Sequence, residues 1–289
     1  MGIIFVDFYG VIIKFIGNSY SSPQLAFFRN FFALIPIILL LIITRDIKNI
    51  FVGISKKFLF LCFLRGISFV LMQIFYYISI INMNFATATT LTFSSPIFIV
   101  VLSMLVLKEK IGLFRWSAIF IGFGGVLFIM NPTSDLFSYI SILPLLAALC
   151  WAISNIVLKF IPEDISSVKI NFYSINFSYI GSLIILLFSS DFSPVENSFD
   201  WLLLILIGIL GGVASILFSF AYRVVSPSTL APFEYLGIPS SFILGWIFFY
   251  EAPIEQLFPG VLGIVAAGFI IIWREKKLSI GKMVSNKIH

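Results

Sequence analysis

The chain is expected to be an all-α integral membrane protein of ten transmembrane helices, arranged as two inverted five-helix repeats. Three observations carry that expectation. The 289 residues are 60% hydrophobic and 11% charged, with a mean hydropathy of +1.12, more apolar surface than one water-soluble core of this length needs. Uncharged runs long enough to cross a bilayer, about 20 residues each, recur along the whole chain. The same residues return in the same order roughly half a chain apart.

The apolar runs fall at 2–17, 24–44, 58–81, 84–107, 113–130, 139–161, 168–189, 200–222, 228–250 and 255–273. Turn and charge signals separate them: NSYSSP, TRDIKN, KEKIGLFR, NPTSD, PEDISS, SSDFSPVENSFD and RVVSPS. The joint between Ile81 and Asn84 is so short that the third and fourth helices form a close hairpin. The first run lacks the basic start and small-residue cleavage site of a signal peptide, and reads as a retained span. With both termini in the cytoplasm, every Lys and Arg except Lys14, Arg29 and Arg65 falls in a cytoplasmic segment. The opposite loops hold Asp135, Asp191, Glu196, Asp200, Glu251 and Glu255 instead. The positive-inside rule selects that orientation.

The repeat is legible residue by residue. At an offset of 145, Lys14, Phe15, Ile16, Ser21, Ser22 and Phe27 meet Lys159, Phe160, Ile161, Ser166, Ser167 and Phe172. At an offset of 143, Ala88, Pro96 and Gly125 meet Ala231, Pro239 and Gly268, and Glu109 meets Glu251 with one residue of slip. The boundaries are 1–133 and 134–275, followed by a basic cytoplasmic tail, 276–289. Five helices is an odd number, so the second unit enters the membrane upside down. That is the architecture of many secondary transporters, with the binding site between the repeats.

Composition excludes several functions. The net charge of +5 is accounted for by loops and tail, so no nucleic-acid partner is implied. The lone histidine is terminal and the two cysteines, Cys62 and Cys150, lie in separate apolar runs, so neither a metal site, a disulfide framework nor a cofactor is expected. The sequence lacks HExxH, GxSxG and a Walker loop, which argues against a membrane enzyme and an ATP-driven pump. No channel filter is legible. A multi-pass enzyme and a non-transporting scaffold remain the rival classes.

The candidate site starts from the stretch FATATTLTFSSPIF, residues 85–98. Thr87, Thr90 and Ser94 share one helical face. Pro96 leaves the carbonyl of Thr92 without its helical donor, and Pro239 repeats the break in the ninth helix. Matched interruptions in both halves point to a midplane site; dry helix packing by small residues is the other reading of the same hydroxyls. The glycines at 122, 124, 125, 260, 263 and 268 are assigned to such packing. Charges inside a membrane are expensive and mark function by default. Glu234 is placed either to bind a cationic group or carry a proton, or to pair with Arg223. Asp7 and Lys14 share a face of the first helix, as a pair or with Lys14 snorkelling outward. Arg29 is expected near the outer interface, and Arg65 either attracts an anion or snorkels to the inner one. Gln73, Tyr76 and Tyr77, Trp151, Ser154 and Asn155, Tyr222 and Tyr235 are the neutral candidates, since rings with polar tips suit flat, partly polar ligands. Glu109 and Glu251 read as caps at matched helix ends, with gating as a further role.

AFFR opening the second helix, LRG the third, ATATT followed by Pro96 in the fourth and Glu109 after it, then AYRVVSPSTLAPFEYLGIP and Glu251 in the second half, together resemble the EamA family of the drug/metabolite transporter superfamily. Within it, these stretches are most similar to the branch of S-adenosylmethionine uptake carriers. The resemblance implies a secondary carrier in a bacterial-type plasma (inner) membrane. Its solute would be a small organic molecule: S-adenosylmethionine, an amino acid, a vitamin or a nucleoside-like compound. Substrate contact would involve Asp7, Gln73, Tyr76, Thr87, Thr90, Ser94, Trp151, Asn155, Tyr222, Glu234 and Tyr235. A coupled proton or counter-substrate is compatible with it, and a homodimer stays open. This sequence departs from the usual family pattern in its very short N-terminus and in carrying Asp7 in the first helix.

Overall fold

The computed structural model describes residues 2–109, 111–130, 139–251 and 262. The expected tenth helix, the basic tail, the glycines at 260, 263 and 268, and Lys110, Asp135 and Glu255 lie outside the described residues. Within them the chain is all helical, with no strand: α1 Gly2–Ile16, α2 Ser22–Ile43, α3 Lys56–Asn82, α4 Phe85–Thr92, α5 Ser95–Val106, α6 Leu113–Met130, α7 Ile142–Val157, α8 Ser167–Ser189, α9 Ser198–Val224, α10 Pro227–Leu230 and α11 Gly237–Phe249. Six stretches among the described residues are long and apolar enough to cross a membrane: α2, α3, α4 with α5, α7 with its short continuation to Phe160, α8 and α9.

Helix starts follow ordinary capping chemistry. Ser21, Ser55 and Ser166 each accept the backbone N–H three residues on, opening α2, α3 and α8. Ser21 and Ser166 are partners in the sequence repeat, so the repeat extends to cap chemistry. α2 packs on α9 and α8, and α3 packs on α7 and α8. α1 lies against α9 and α11, α5 against α7, and α4 against α11.

Two spans are broken, as the prolines require. α4 stops at Thr92 and α5 starts at Ser95, with Pro96 in its first turn, where a missing N–H costs nothing. In the second half, α10 runs into a 3-10 segment, Ala231–Leu236, before α11 resumes with Pro239 in its first turn.

α9 reaches α2 through glycines. A Cβ at Gly208 would stand 2.2 Å from the Cβ of Phe32, and one at Gly211 would stand 2.4 Å from the guanidinium Nε of Arg29. Small residues let membrane helices approach this closely, where packing rather than water drives association. Gly208→Ala is expected to lower stability by about 1–3 kcal/mol, read as a fall in Tm in detergent, because the clash is with a side-chain root that cannot swing away. Gly122 likewise faces the ring of Tyr235, and a Cβ at Gly124 would meet nothing within 4 Å among the described residues; the tenth helix expected to pack there lies outside them.

One lock lies outside the spans. The Tyr20 hydroxyl, between α1 and α2, donates to Asp200 at 2.7 Å. Burial first, and then the Asp200 carboxylate, push its phenol up to about 12 from an ordinary 10. The folded state therefore holds this proton longer than the unfolded state does. The resulting stability is complete below pH 10 and is lost as pH rises towards 12. Tyr20→Phe should cost about 1 kcal/mol at neutral pH, with the gap from wild type closing across that window in parallel melts.

Candidate functional site

α1, α3, α4, the break before α5, α7, α9 and the 3-10 segment line a partly open cavity of about 80 Å³, below the usual range of formed small-molecule sites, about 300–1,000 Å³. Its wall is largely apolar and aromatic: Tyr9, Met72, Tyr76, Phe93, Trp151 and Phe218. Two carboxylates line it, Asp7 and Glu234, and no basic side chain does among the described residues.

Glu234 is buried, and three donors converge on it. Tyr222 Oη and Trp151 Nε1 donate to Oε1 at 2.5 and 2.9 Å, and Ser95 Oγ donates to Oε2 at 2.8 Å. The chain break makes this possible: the 3-10 segment turns Glu234 inward, and the α4–α5 break brings Ser95 opposite. The alternative pairing with Arg223 does not occur, since that guanidinium donates instead to the carbonyl of Pro162 at 2.9 Å. Asp7 accepts from Ser240 of α11. Each carboxylate is thus held by neutral donors, and among the described residues neither is paired with a cation.

The structure brings Asp7, Tyr76, Trp151 and Glu234 to the cavity wall and sets Tyr222 directly behind Glu234. It does not bring the others there. On α4 the lining face carries Thr89 and Thr92, followed by Phe93 and Ser95, rather than Thr87, Thr90 and Ser94. Thr90 and Ser94 are buried with hydroxyls that have no hydrogen-bond partner, and Thr87 is half-buried. Thr89 and Thr92 bond back to the Phe85 and Ala88 carbonyls, so their hydroxyls are already satisfied within the helix. Both faces have the same helical spacing, and the sequence did not distinguish them. Gln73 is closed in a side-chain amide pair with Asn30. Asn155 bonds back to the carbonyl of Trp151. Tyr235 and Tyr77 are buried with unpartnered hydroxyls, away from the cavity. Tyr9, Ser95 and Ser240 were not anticipated. Ile3, Val6 and Asp7, all on the cavity wall, show one signal that was available: they fall at i, i+3, i+4 on α1.

The basic residues expected at interfaces lie elsewhere. Arg29 is 1% exposed. It donates to Asn30 Oδ1, to Ser215 Oγ and to the carbonyl of Gly211, at 3.0, 2.9 and 2.7 Å, and sits 4.8 Å from the Phe69 ring centroid. Arg65 is buried too, donating to Asn171 Oδ1 and Ser219 Oγ at 3.2 and 2.7 Å. Both are anchored by neutral acceptors on α8 and α9 because the glycine-lined contacts hold those helices within reach. Lys14 does not pair with Asp7; it reaches past the end of α1 to pair with Glu251 at 2.6 Å.

The chain is similar to known membrane transporters along nearly its whole length. The model of the EamA-like transporter family matches residues 1–131 and 138–273. An S-adenosylmethionine uptake transporter of Rickettsia conorii is 28% identical over 267 residues, covering 92% of this chain and 88% of that protein. A riboflavin transporter of Vibrio cholerae is 32% identical over 188 residues, 65% of this chain and 62% of its own. A pseudopaline exporter of Pseudomonas aeruginosa is 25% identical, covering 92% and 91%. A crystal structure of a protein 16% identical superposes with a TM-score of 0.66 over 96% of this chain and 98% of that one, a likeness of fold. A multi-pass helical chain matched in both halves by one transporter-family model belongs to that family, the EamA-like transporters.

Proposed function

We propose that the protein is a secondary carrier of a small organic cation bearing a flat group, working by alternating access between two inverted five-helix repeats, with both termini in the cytoplasm of a bacterial-type cell. One observation carries the substrate class: a cavity with two buried carboxylates, aromatic walls and, among the described residues, no facing base. In a low-dielectric cleft an uncompensated carboxylate favours a cation over a neutral isostere far more than it would in water. The rings of Tyr76 and Trp151 offer faces to a planar group, and their quadrupoles favour positive charge. Sulfonium compounds such as S-adenosylmethionine combine both features, and several relatives are carriers of that compound. Riboflavin, which the Vibrio cholerae relative carries, is the second reading, favoured by the aromatic walls alone.

What supports the inverted repeat is the pairing of helices. Exchange of the two halves maps the α2–α9 contact onto α8–α3, α1–α9 onto α7–α3, and α1–α11 onto α7–α5, and all six are present. Asp7, Glu234, Tyr76 and Trp151 hold the solute in this account, with Tyr222 orienting the Glu234 carboxylate. Both carboxylates also accept protons, so a proton or a counter-substrate can take the cation's place on the return leg.

Thermal stabilisation of the purified protein across a panel of S-adenosylmethionine, its neutral thioether S-adenosylhomocysteine, riboflavin and amino acids tests the substrate class. A saturable rise in Tm for the sulfonium and a weaker one for the thioether is expected. Stabilisation by riboflavin alone would favour the second reading.

A further inference from the structure

We propose that the two broken spans close on each other at both ends through a pair of equivalent charged latches, and that breaking one latch and making the other switches the carrier between its two faces. This rests on the alternating-access reading above.

At one end of the bundle Glu251, just past α11, accepts the backbone N–H of Phe85, the first residue of α4, at 2.6 Å. Lys14, near the end of α1, completes the latch: its ammonium pairs with the same carboxylate at 2.6 Å and donates to the carbonyl of Met83 at 3.0 Å. At the other end Glu109, just past α5, accepts from Ser228, in the first turn of α10. Each broken span therefore ends in a carboxylate that holds the beginning of the other, and one whole span, Phe85–Val106, separates the two latches. Lys159 is the repeat partner of Lys14, and Glu109 that of Glu251.

The latches differ in one respect. Lys14 is bonded to its carboxylate, in the single side-chain ion pair among the described residues. Lys159 instead donates to the carbonyl of Arg223 at 3.1 Å, with Glu109 and Glu163 as the carboxylates acting on it and Arg223 as the opposing cation. At one face the lysine is seated on the latch carboxylate; at the other the carboxylate keeps its Ser228 contact and the lysine is off it. Swapping the roles of the halves gives the opposite arrangement, with Lys159 on Glu109 and Lys14 released. A partly buried ion pair that exists in one state only biases a two-state element by its full interaction energy.

The test reads access to the cavity rather than transport, so it stands even if the solute is misassigned. Met72 lines the cavity; Met72→Cys in a Cys62→Ala, Cys150→Ala background is labelled with a membrane-impermeant maleimide in right-side-out and inverted vesicles. Ser190→Cys, exposed beyond α8, marks the face that holds Lys14. Lys14→Gln or Glu251→Gln should raise labelling from that face about tenfold, and Glu109→Gln should lower it. The conservative Lys14→Arg, which keeps a cation that can reach both Glu251 and the Met83 carbonyl, should hold labelling near the starting rate, which an unfolded variant would not do. Opposite signs for the two latches, with Lys14→Arg near wild type, support the proposal. The same sign for both, no change, or Lys14→Arg behaving as Lys14→Gln overturns it.

Discussion

Glu234→Gln should reduce transport roughly 100-fold, equivalent to about 3 kcal/mol of lost attraction between a buried carboxylate and a bound cation. The protein should still fold and insert. Tyr222 and Trp151 both donate to one oxygen, Oε1, which glutamine retains as its carbonyl, and the Ser95 hydroxyl at the other position rotates to accept from the new amide. Uptake measured beside an unchanged Tm separates the two effects. If Glu234 also carries the coupled proton, the pH dependence of wild-type transport should be flattened in the variant. Equal uptake by both proteins at every pH would remove Glu234 from solute recognition.

Arg29→Ala should be the most damaging change to the fold, at about 3–5 kcal/mol. The guanidinium is what Asn30, Ser215 and the Gly211 carbonyl share. Its removal leaves acceptors between α2 and α9 without a donor, in a place where water is scarce. Gly211 leaves room for this side chain, so truncation also opens a gap. The expected result is a sharp fall in Tm and in the yield of monodisperse protein. Ser215→Ala added to Arg29→Ala should then cost less than it does alone, because the two act as one network. Arg29→Ala protein as stable as wild type but unable to transport would move Arg29 from the framework to the site.

Much of the fold was legible because hydropathy and helix breakers act locally. The bounds of the spans follow the apolar runs, the hairpin at Met83–Asn84 is as tight as expected, and Pro96 and Pro239 each follow a real break. Glu234 was legible as a charge that the membrane would not tolerate without purpose. What the sequence did not carry was direction. Thr87, Thr90 and Ser94 obey the same spacing as a lining face, but the packing of α4 on α11 and α7 sets how the helix is turned about its axis, and Thr89, Thr92 and Ser95 reach the cavity instead. Arg29 and Arg65 near helix ends suggest snorkelling because a neighbouring helix offering acceptors is invisible in one strand of sequence. Lys14 and Glu251, 237 residues apart, meet only through the packing of α1 on α11.

The most direct measurement is counterflow in proteoliposomes loaded with unlabelled S-adenosylmethionine, following entry of the labelled compound, with S-adenosylhomocysteine as competitor and Glu234→Gln in parallel. The account predicts saturable exchange that the thioether competes for weakly, and its loss in Glu234→Gln. Equal competition by the neutral thioether, or exchange untouched by Glu234→Gln, would contradict recognition of a cation by the buried carboxylates.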